Sequence, residues 1–299
     1  MILLNKVEQY FNTPAISQSL LKSVLANEKL GKSSGSMRKG SLLDTLTTCP
    51  LEFDNLYVVK EMPYISETIF KVFNRMIESE VTLDDKDKVL EICSDLDYYK
   101  GKSTALTELA KHQEAFNLLL ENKDKEIIAE KVYLENKRIA EELNLWVYFD
   151  PEYSQLPVYG KLNGYIYKDF SCKGLLDNLS LENKLITDLK RTDVRINEFS
   201  MIAKKFDYPF QAAFYVDLVK AQYGIDVEFQ WLVYSSADNK IALFKADPGD
   251  LDVKRYGKDY HKGYLQALDI YQYCIDNNLD DWDKEYHQNK GIYNLKLYR

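Results

Sequence analysis

CKGLLDNLSLENKLITDLKRTDVRINEFSMIAKKFDYPFQAAFY, residues 172–215, holds most of the chemistry legible in this 299-residue chain. An apolar run surrounds Asp177 (Gly174-Leu175-Leu176-Asp177-Asn178-Leu179), and a second follows as Leu185-Ile186-Thr187-Asp188-Leu189-Lys190. Both have the length and composition of strands, and Glu182-Asn183 between them reads as a turn. Side chains two apart on a strand share a face, so Asp188 and Lys190 point the same way as Ile186, and a hairpin can bring Asp177 to them. Carboxylates that converge where water is scarce repel each other, and a hard divalent cation relieves the repulsion by taking oxygen ligands. A lysine beside such a cation can orient an attacking water or stabilise charge on a phosphate. The pattern predicts metal-assisted phosphodiester hydrolysis. A solvated ion pair is the plain alternative for Asp188 and Lys190, but an acid sharing a face with isoleucine is untypical of an exposed strand.

Gly-x-x-Asp (Gly174, Asp177), then Asp-x-Lys (Asp188, Lys190), then Gln-x-x-x-Tyr (Gln211, Tyr215) resembles, in that order, the PD-(D/E)XK nuclease superfamily. Within it the likeness is to the phage RecE-like and lambda-exonuclease-like branch. Each piece alone is weak, and the ordered set within a short stretch is far more specific. The resemblance implies an α/β fold, a central mixed β-sheet flanked by helices in a restriction-endonuclease-like core, behind an N-terminal helical section. It implies that Asp177 and Asp188 hold magnesium or manganese, that Lys190 is the catalytic lysine, and that Gln211 and Tyr215 steady the substrate strand. The Leu189 carbonyl, between Asp188 and Lys190, is a further candidate ligand. Core packing beside Phe214 is the alternative for Gln211 and Tyr215, which stand one helical turn apart.

Two more acids enter through the same likeness. Lys39-Gly40-Ser41-Leu42-Leu43-Asp44 resembles the branch's Gly-x-x-x-His helix, with Asp44 where the family has a metal-touching histidine. Aspartate offers oxygen to magnesium, so the departure does not break the site. Glu130 in EIIAEKVYL stands where relatives carry an acid beside the metal. A helix-surface acid and a salt-bridging glutamate are the respective alternatives. Ile16-Ser17-Gln18-Ser19-Leu20-Leu21 echoes the helix that opens RecE-like nucleases. The Gly31-Lys32-Ser33 that follows is no phosphate loop, since Ala26 occupies the first glycine's position and no strand precedes it.

The composition, 45% apolar and 29% charged, is that of a soluble globular protein. No run of eighteen apolar residues is present, and MILLNKVEQYF turns polar too soon for a signal peptide, so a cytoplasmic protein without membrane attachment is expected, phage or prophage encoded by resemblance. Cys49, Cys93, Cys172 and Cys274 are scattered, which predicts no disulfide framework, no zinc site and no iron-sulfur cluster; no nucleotide cofactor is expected either. A net charge of -8 argues against a protein coated in positive charge. From Lys184 to Lys205, however, six basic residues face three acids, and Arg191, Arg195, Lys204 and Lys205, with Thr192, are the expected DNA contacts. A solvated helix face is an equal alternative for any one of these lysines.

Along the rest of the chain, Ile69, Val72, Phe73, Met76 and Ile77 recur at helical spacing within 68–120. Residues 126–134 are expected to begin the strand region, Leu145 to Phe149 to form a buried strand, and Val158 to Tyr167 a strand pair bent at Gly160 and Gly164. A helix from Pro209 to Gly224 precedes strands at 227–234 and 240–245. The tail carries Lys284, Lys290, Lys296 and Arg299 among Tyr286, Tyr293 and Tyr298, a further surface for DNA or a neighbouring subunit.

These readings converge on one domain over 1–299, helical to about 125 and catalytic from about 126. The function expected is a magnesium-dependent exonuclease on duplex DNA ends in phage-type recombination or replication. The resemblance implies a homo-oligomeric ring that passes a single strand to an annealing protein. A structure-specific endonuclease and a non-catalytic DNA-binding protein on the same fold are the alternatives.

Overall fold

The computed structural model describes residues 2–28, 35–98, 101–258, 262–279, 281–282 and 288. The Gly31-Lys32-Ser33 segment and the lysines, arginine and tyrosines of the tail named above lie outside them. Helices α1 (Ile2–Asn12), α2 (Gln18–Ala26), α3 (Gly35–Thr48) and α4 (Phe53–Leu56) lead to strand β1 (Tyr57–Val59). Helices α5 (Glu67–Glu78), α6 (Lys86–Asp95), α7 (Lys102–Lys111) and α8 (Gln113–Glu121) follow, then β2 (Glu126–Ile128) and α9 (Glu130–Asn144). Strands β3 (Ser154–Leu162), β4 (Phe170–Ser180) and β5 (Leu185–Thr192) come next, with α10 (Phe199–Lys205) and α11 (Tyr208–Tyr223) after them. The chain continues through β6 (Glu228–Ser235), β7 (Lys240–Lys245), α12 (Pro248–Tyr256) and α13 (Tyr264–Asp276).

Two compact units result: Met1–Pro50 with Ile139–Arg299, and Leu51–Arg138. The first fifty residues thus belong with the chain from Ile139 onward.

The first unit is built on a five-stranded sheet in the order β3-β4-β5-β6-β7, antiparallel throughout except for the parallel pair β5-β6. That mixed sheet flanked by helices is the expected α/β architecture. A parallel pair needs a crossover, and α10 with α11 supplies it. α11 is apolar on nearly every side and is therefore buried: Phe210, Phe214, Leu218 and Val219 join Val158, Leu176, Ile186 and Phe229 in one core. Gly224, at φ 69°, ends the helix in the left-handed conformation that glycine adopts freely.

β5 covers only the last three residues of β4, Asn178 to Ser180. Further along that open edge Ile16 pairs with Cys172: its N–H donates to Ser171 O at 2.9 Å and its carbonyl accepts from Lys173 N at 2.8 Å. Ser17 then caps α2, its hydroxyl accepting from Leu20 N. The Ile-Ser-x-Ser-x-Leu stretch is thus a strand bridge followed by a helix cap.

In the second unit β1 and β2 pair in parallel, Tyr57 opposite Glu126. Its core gathers Ile69, Val72, Phe73 and Met76 of α5, at the expected helical spacing, with Val89, Leu109 and Phe116.

Three strand expectations are corrected. Leu145 to Phe149 is a loop after α9, with Leu145, Trp146 and Tyr148 exposed and Phe149 alone buried among the aromatic residues. The strand expected at 126–134 stops at Ile128, where the helix-forming run from Glu130 takes over. The pair read at 158–167 is instead one long strand, β3, which runs through Gly160 and pairs it with Cys172. Among the described residues no helix is long and apolar enough to cross a membrane.

Candidate active site

The site forms where the β4-β5 ladder opens. Pairing runs Ser180 with Leu185, Leu179 with Ile186 and Asn178 with Thr187, and then stops. Asp177 and Asp188 are the next facing positions. Beyond that point β5 stays in register with β6, so its backbone remains straight and held on one side.

Asp177, half-buried, is gripped at both oxygens: Oδ2 accepts the N–H of Leu189 at 2.8 Å and Oδ1 accepts from Gln155 Nε2 at 3.3 Å. Asp188 is 3% exposed. Its Oδ1 accepts from Gln211 Nε2 at 3.2 Å, and its Oδ2 forms an ion pair with Lys190 Nζ. The ammonium also stands 3.5 Å from the Leu189 carbonyl and 5.1 Å from the centre of the Tyr208 ring. Tyr215, one helical turn on from Gln211, feels that amide as well, so the two residues of the helical Gln-x-x-x-Tyr element form one strut from α11 toward Asp188. Gly174 lets that strut approach: a Cβ there would meet the Tyr215 ring at 2.9 Å.

Asp44, half-buried in α3, feels the charges of Asp177, Asp188 and Lys190. Burial first, then Asp177 and Asp188, push its carboxyl well above the usual range, with Lys190 opposing. Burial, and then Asp188, raise Asp177 to about 6, against Lys190, the Leu189 N–H and Gln155. Burial acts to lower Lys190, but Asp188 and Asp177 together outweigh it and its pKa rises. Three acids therefore gather around the Lys190 ammonium in a poorly solvated place, a repulsion that protons or a divalent cation can relieve. Their oxygens are the hard donors that magnesium and manganese prefer. The acids are related by charge: among the described residues no three acid, histidine or cysteine side chains form a ready ligand cluster.

The other expected residues lie as follows. Glu130 is in the second unit, exposed at the first turn of α9, with its N–H donating to Glu61 Oε1 at 3.1 Å. Arg191 lies over the Tyr234 ring at 5.8 Å. Thr192 is 6% exposed, and its hydroxyl accepts from Val194 N at 3.4 Å. Arg195, Lys204 and Lys205 are exposed.

Sequence reasoning missed Gln155, whose amide also donates to Thr48 Oγ1 at 3.3 Å. It also missed Lys22 of α2, which donates to Phe206 O at 2.8 Å and is held at about 8, chiefly by burial. Lys22 follows directly on the Ile16–Leu21 motif, a signal that its helix borders the site. Gln155 carries none.

Residues 84–255 match the family described as "PDDEXK-like domain of unknown function (DUF3799)". The chain belongs to this family. The matched residues of the DUF3799 family member include Gly174, Asp177, Asp188, Lys190, Gln211 and Tyr215, while Lys22 and Asp44 precede them. The domain is thus nuclease-like and of the PD-(D/E)XK kind. Among solved structures, a protein of Eubacterium rectale described as a proposed exonuclease has 13% identity and a TM-score of 0.43, covering 97% of this chain and 87% of that one. A protein called SSO0001 has 14% identity and a TM-score of 0.28, covering 88% of this chain and 98% of that one. No curated protein matches the chain.

Proposed function

We propose that the chain is a divalent-metal-dependent deoxyribonuclease of the RecE-like, lambda-exonuclease-like kind that hydrolyses phosphodiester bonds at duplex DNA ends. One observation carries the reading: at the opening of the β4-β5 ladder, Asp177 and Asp188 face each other with Lys190 on the second. Folding alone supplies no reason to bury two acids and a lysine together, since leaving any one unpaired is costly.

Asp177, Asp188, Asp44 and the Leu189 carbonyl would hold the cation, magnesium or manganese. A bound cation of this type acidifies water and neutralises charge on a phosphate. Lys190 orients the attacking water and stabilises the developing phosphate charge. Gln211 holds Asp188 in place, with Tyr215 one helical turn away on the same face of α11. Arg191, Arg195, Lys204 and Lys205 offer the backbone contacts that fix the strand's register without reading its sequence. By resemblance we extend the proposal to a cytoplasmic role in phage-type recombination or replication, a ring-shaped homo-oligomer and a single-strand annealing partner.

The test is digestion of an end-labelled linear duplex beside its closed circle, with magnesium or with chelator. Magnesium-dependent loss of the linear form alone is expected. Cutting of the circle replaces the exonuclease by an endonuclease, and no cleavage with magnesium or manganese overturns the enzymatic reading.

A further inference from the structure

β3 and β4 keep a single register from Ser154 opposite Asn178 to Leu162 opposite Phe170. Gln155 and Asp177 are facing positions that drop out of that ladder. At this point Gln155 adopts φ 44°, in the left-handed region that a residue with a Cβ enters at a cost. A distortion that served only to bend the strand would suit glycine or asparagine. Here the position carries a longer amide, and that amide is used.

Gln155 Nε2 donates to Asp177 Oδ1 at 3.3 Å and to Thr48 Oγ1 at 3.3 Å. Thr48 Oγ1 in turn donates to the Asp44 carbonyl at 2.7 Å. One amide thus ties β4 to the last turn of α3, the helix that carries Asp44. Asp177 is fixed from the other side by the Leu189 N–H, so its carboxylate is held at both oxygens and has one orientation open to it. A regular strand would keep one ladder position more and would lose this brace.

We infer that Gln155 is a positioning residue: its strained backbone aims an amide that locks the Asp177 carboxylate against Leu189 and against the end of α3. The lock is a statement about the folded chain. Its value for cleavage rests on the nuclease reading above.

Two full-length variants test it. Q155G removes the amide and relieves the backbone, whereas Q155E keeps the shape but offers oxygen where Asp177 needs a donor. Amide hydrogen exchange is followed by NMR on deuterated protein in chelator, with Ile186 of the same strand as the internal reference. A freed Asp177 gives up the Leu189 N–H, so exchange at Leu189 is expected to speed up about tenfold or more in both variants, with Ile186 unchanged. Manganese affinity, read by electron paramagnetic resonance, is expected to fall about 10- to 100-fold, the range for residues that orient a ligand. Leu189 exchange within about twofold of the parent in both variants overturns the inference, as does equal acceleration at Ile186, which would show general loosening. If Q155G does not fold, Q155E alone decides. A parent chain that binds no manganese would dispose of the nuclease reading and leave the exchange result standing.

Discussion

Leu189 donates its backbone N–H to Asp177 Oδ2 at 2.8 Å, just past the last residues through which β4 and β5 pair. The carboxylate stands in for the strand partner that Leu189 lacks on that side. Asparagine keeps an oxygen for this bond and removes the charge. Asp177→Asn is therefore expected to keep the parent's circular dichroism and to melt no lower than the parent at neutral pH in chelator, while losing magnesium-dependent cleavage by about a hundredfold or more. Wild-type cleavage in this variant would remove Asp177 from the metal set.

The same carboxyl sets a pH dependence. Asp177 holds its proton up to about 6 in the folded chain, whereas an unfolded aspartate releases it near about 3.9. Between those values the native state binds more protons, so its stability is greatest at acid pH and declines as pH rises through about 6. In chelator, the midpoint of the parent should fall relative to that of Asp177→Asn as pH rises from about 4 to about 7. Added magnesium should raise the parent's midpoint more at about pH 7.5 than at about pH 5, because only the ionised site competes well for it. Scanning fluorimetry across the range reads both, and a flat difference between the two proteins would refute the assignment.

Lys190 is 18% exposed at its side chain and pairs its positive charge with Asp188. Lys190→Met removes that charge and keeps most of the volume. Cleavage is expected to drop on the order of a hundredfold or more. The folded variant should also depend on divalent cation for stability more than the parent does, since Asp44, Asp177 and Asp188 then lack their counter-ion. Comparing the magnesium-induced shift in melting temperature between the two proteins checks this.

Gly174 tests the strut. An added methyl would sit 2.9 Å and 3.0 Å from two atoms of the Tyr215 ring and 3.1 Å from Leu218 Cδ1. Gly174→Ala should cost about 1–3 kcal/mol in urea unfolding, the usual range for overpacking a filled core. A cost well below this would mean that Tyr215 has room to move, and with it the support of Gln211.

What could be read from sequence depended on how local each feature is. β5 was legible because its apolar run, the turn at 182–183 before it and its Asp-x-Lys spacing all lie within one short stretch. α11 was legible from proline near its start and glycine at its end. β3 was harder, since Pro157 and Gly160 interrupt it and its pairing with β4 is long-range. Leu145 to Phe149 misled because a short apolar run has no period of its own, and only packing decides whether it is buried. Asp44 could be placed on a helix, but its electrostatic link to Asp177 follows from the fold of the first fifty residues onto the later sheet. Gln155 was invisible: its role needs a backbone angle and a facing residue far along the chain.

The Ile16 bridge has a consequence for solubility. It sits on the stretch of β4 that β5 leaves bare, and Lys173 fastens the same segment by donating from Nζ to the carbonyls of Tyr10 and Thr13, each at 2.7 Å. A bare strand edge invites another chain to add to it. The N-terminal segment thus works as a built-in plug, and a chain begun after Ser17 would present a sticky edge along the strand that carries Asp177, so that self-association would cost it both dispersal and access to DNA.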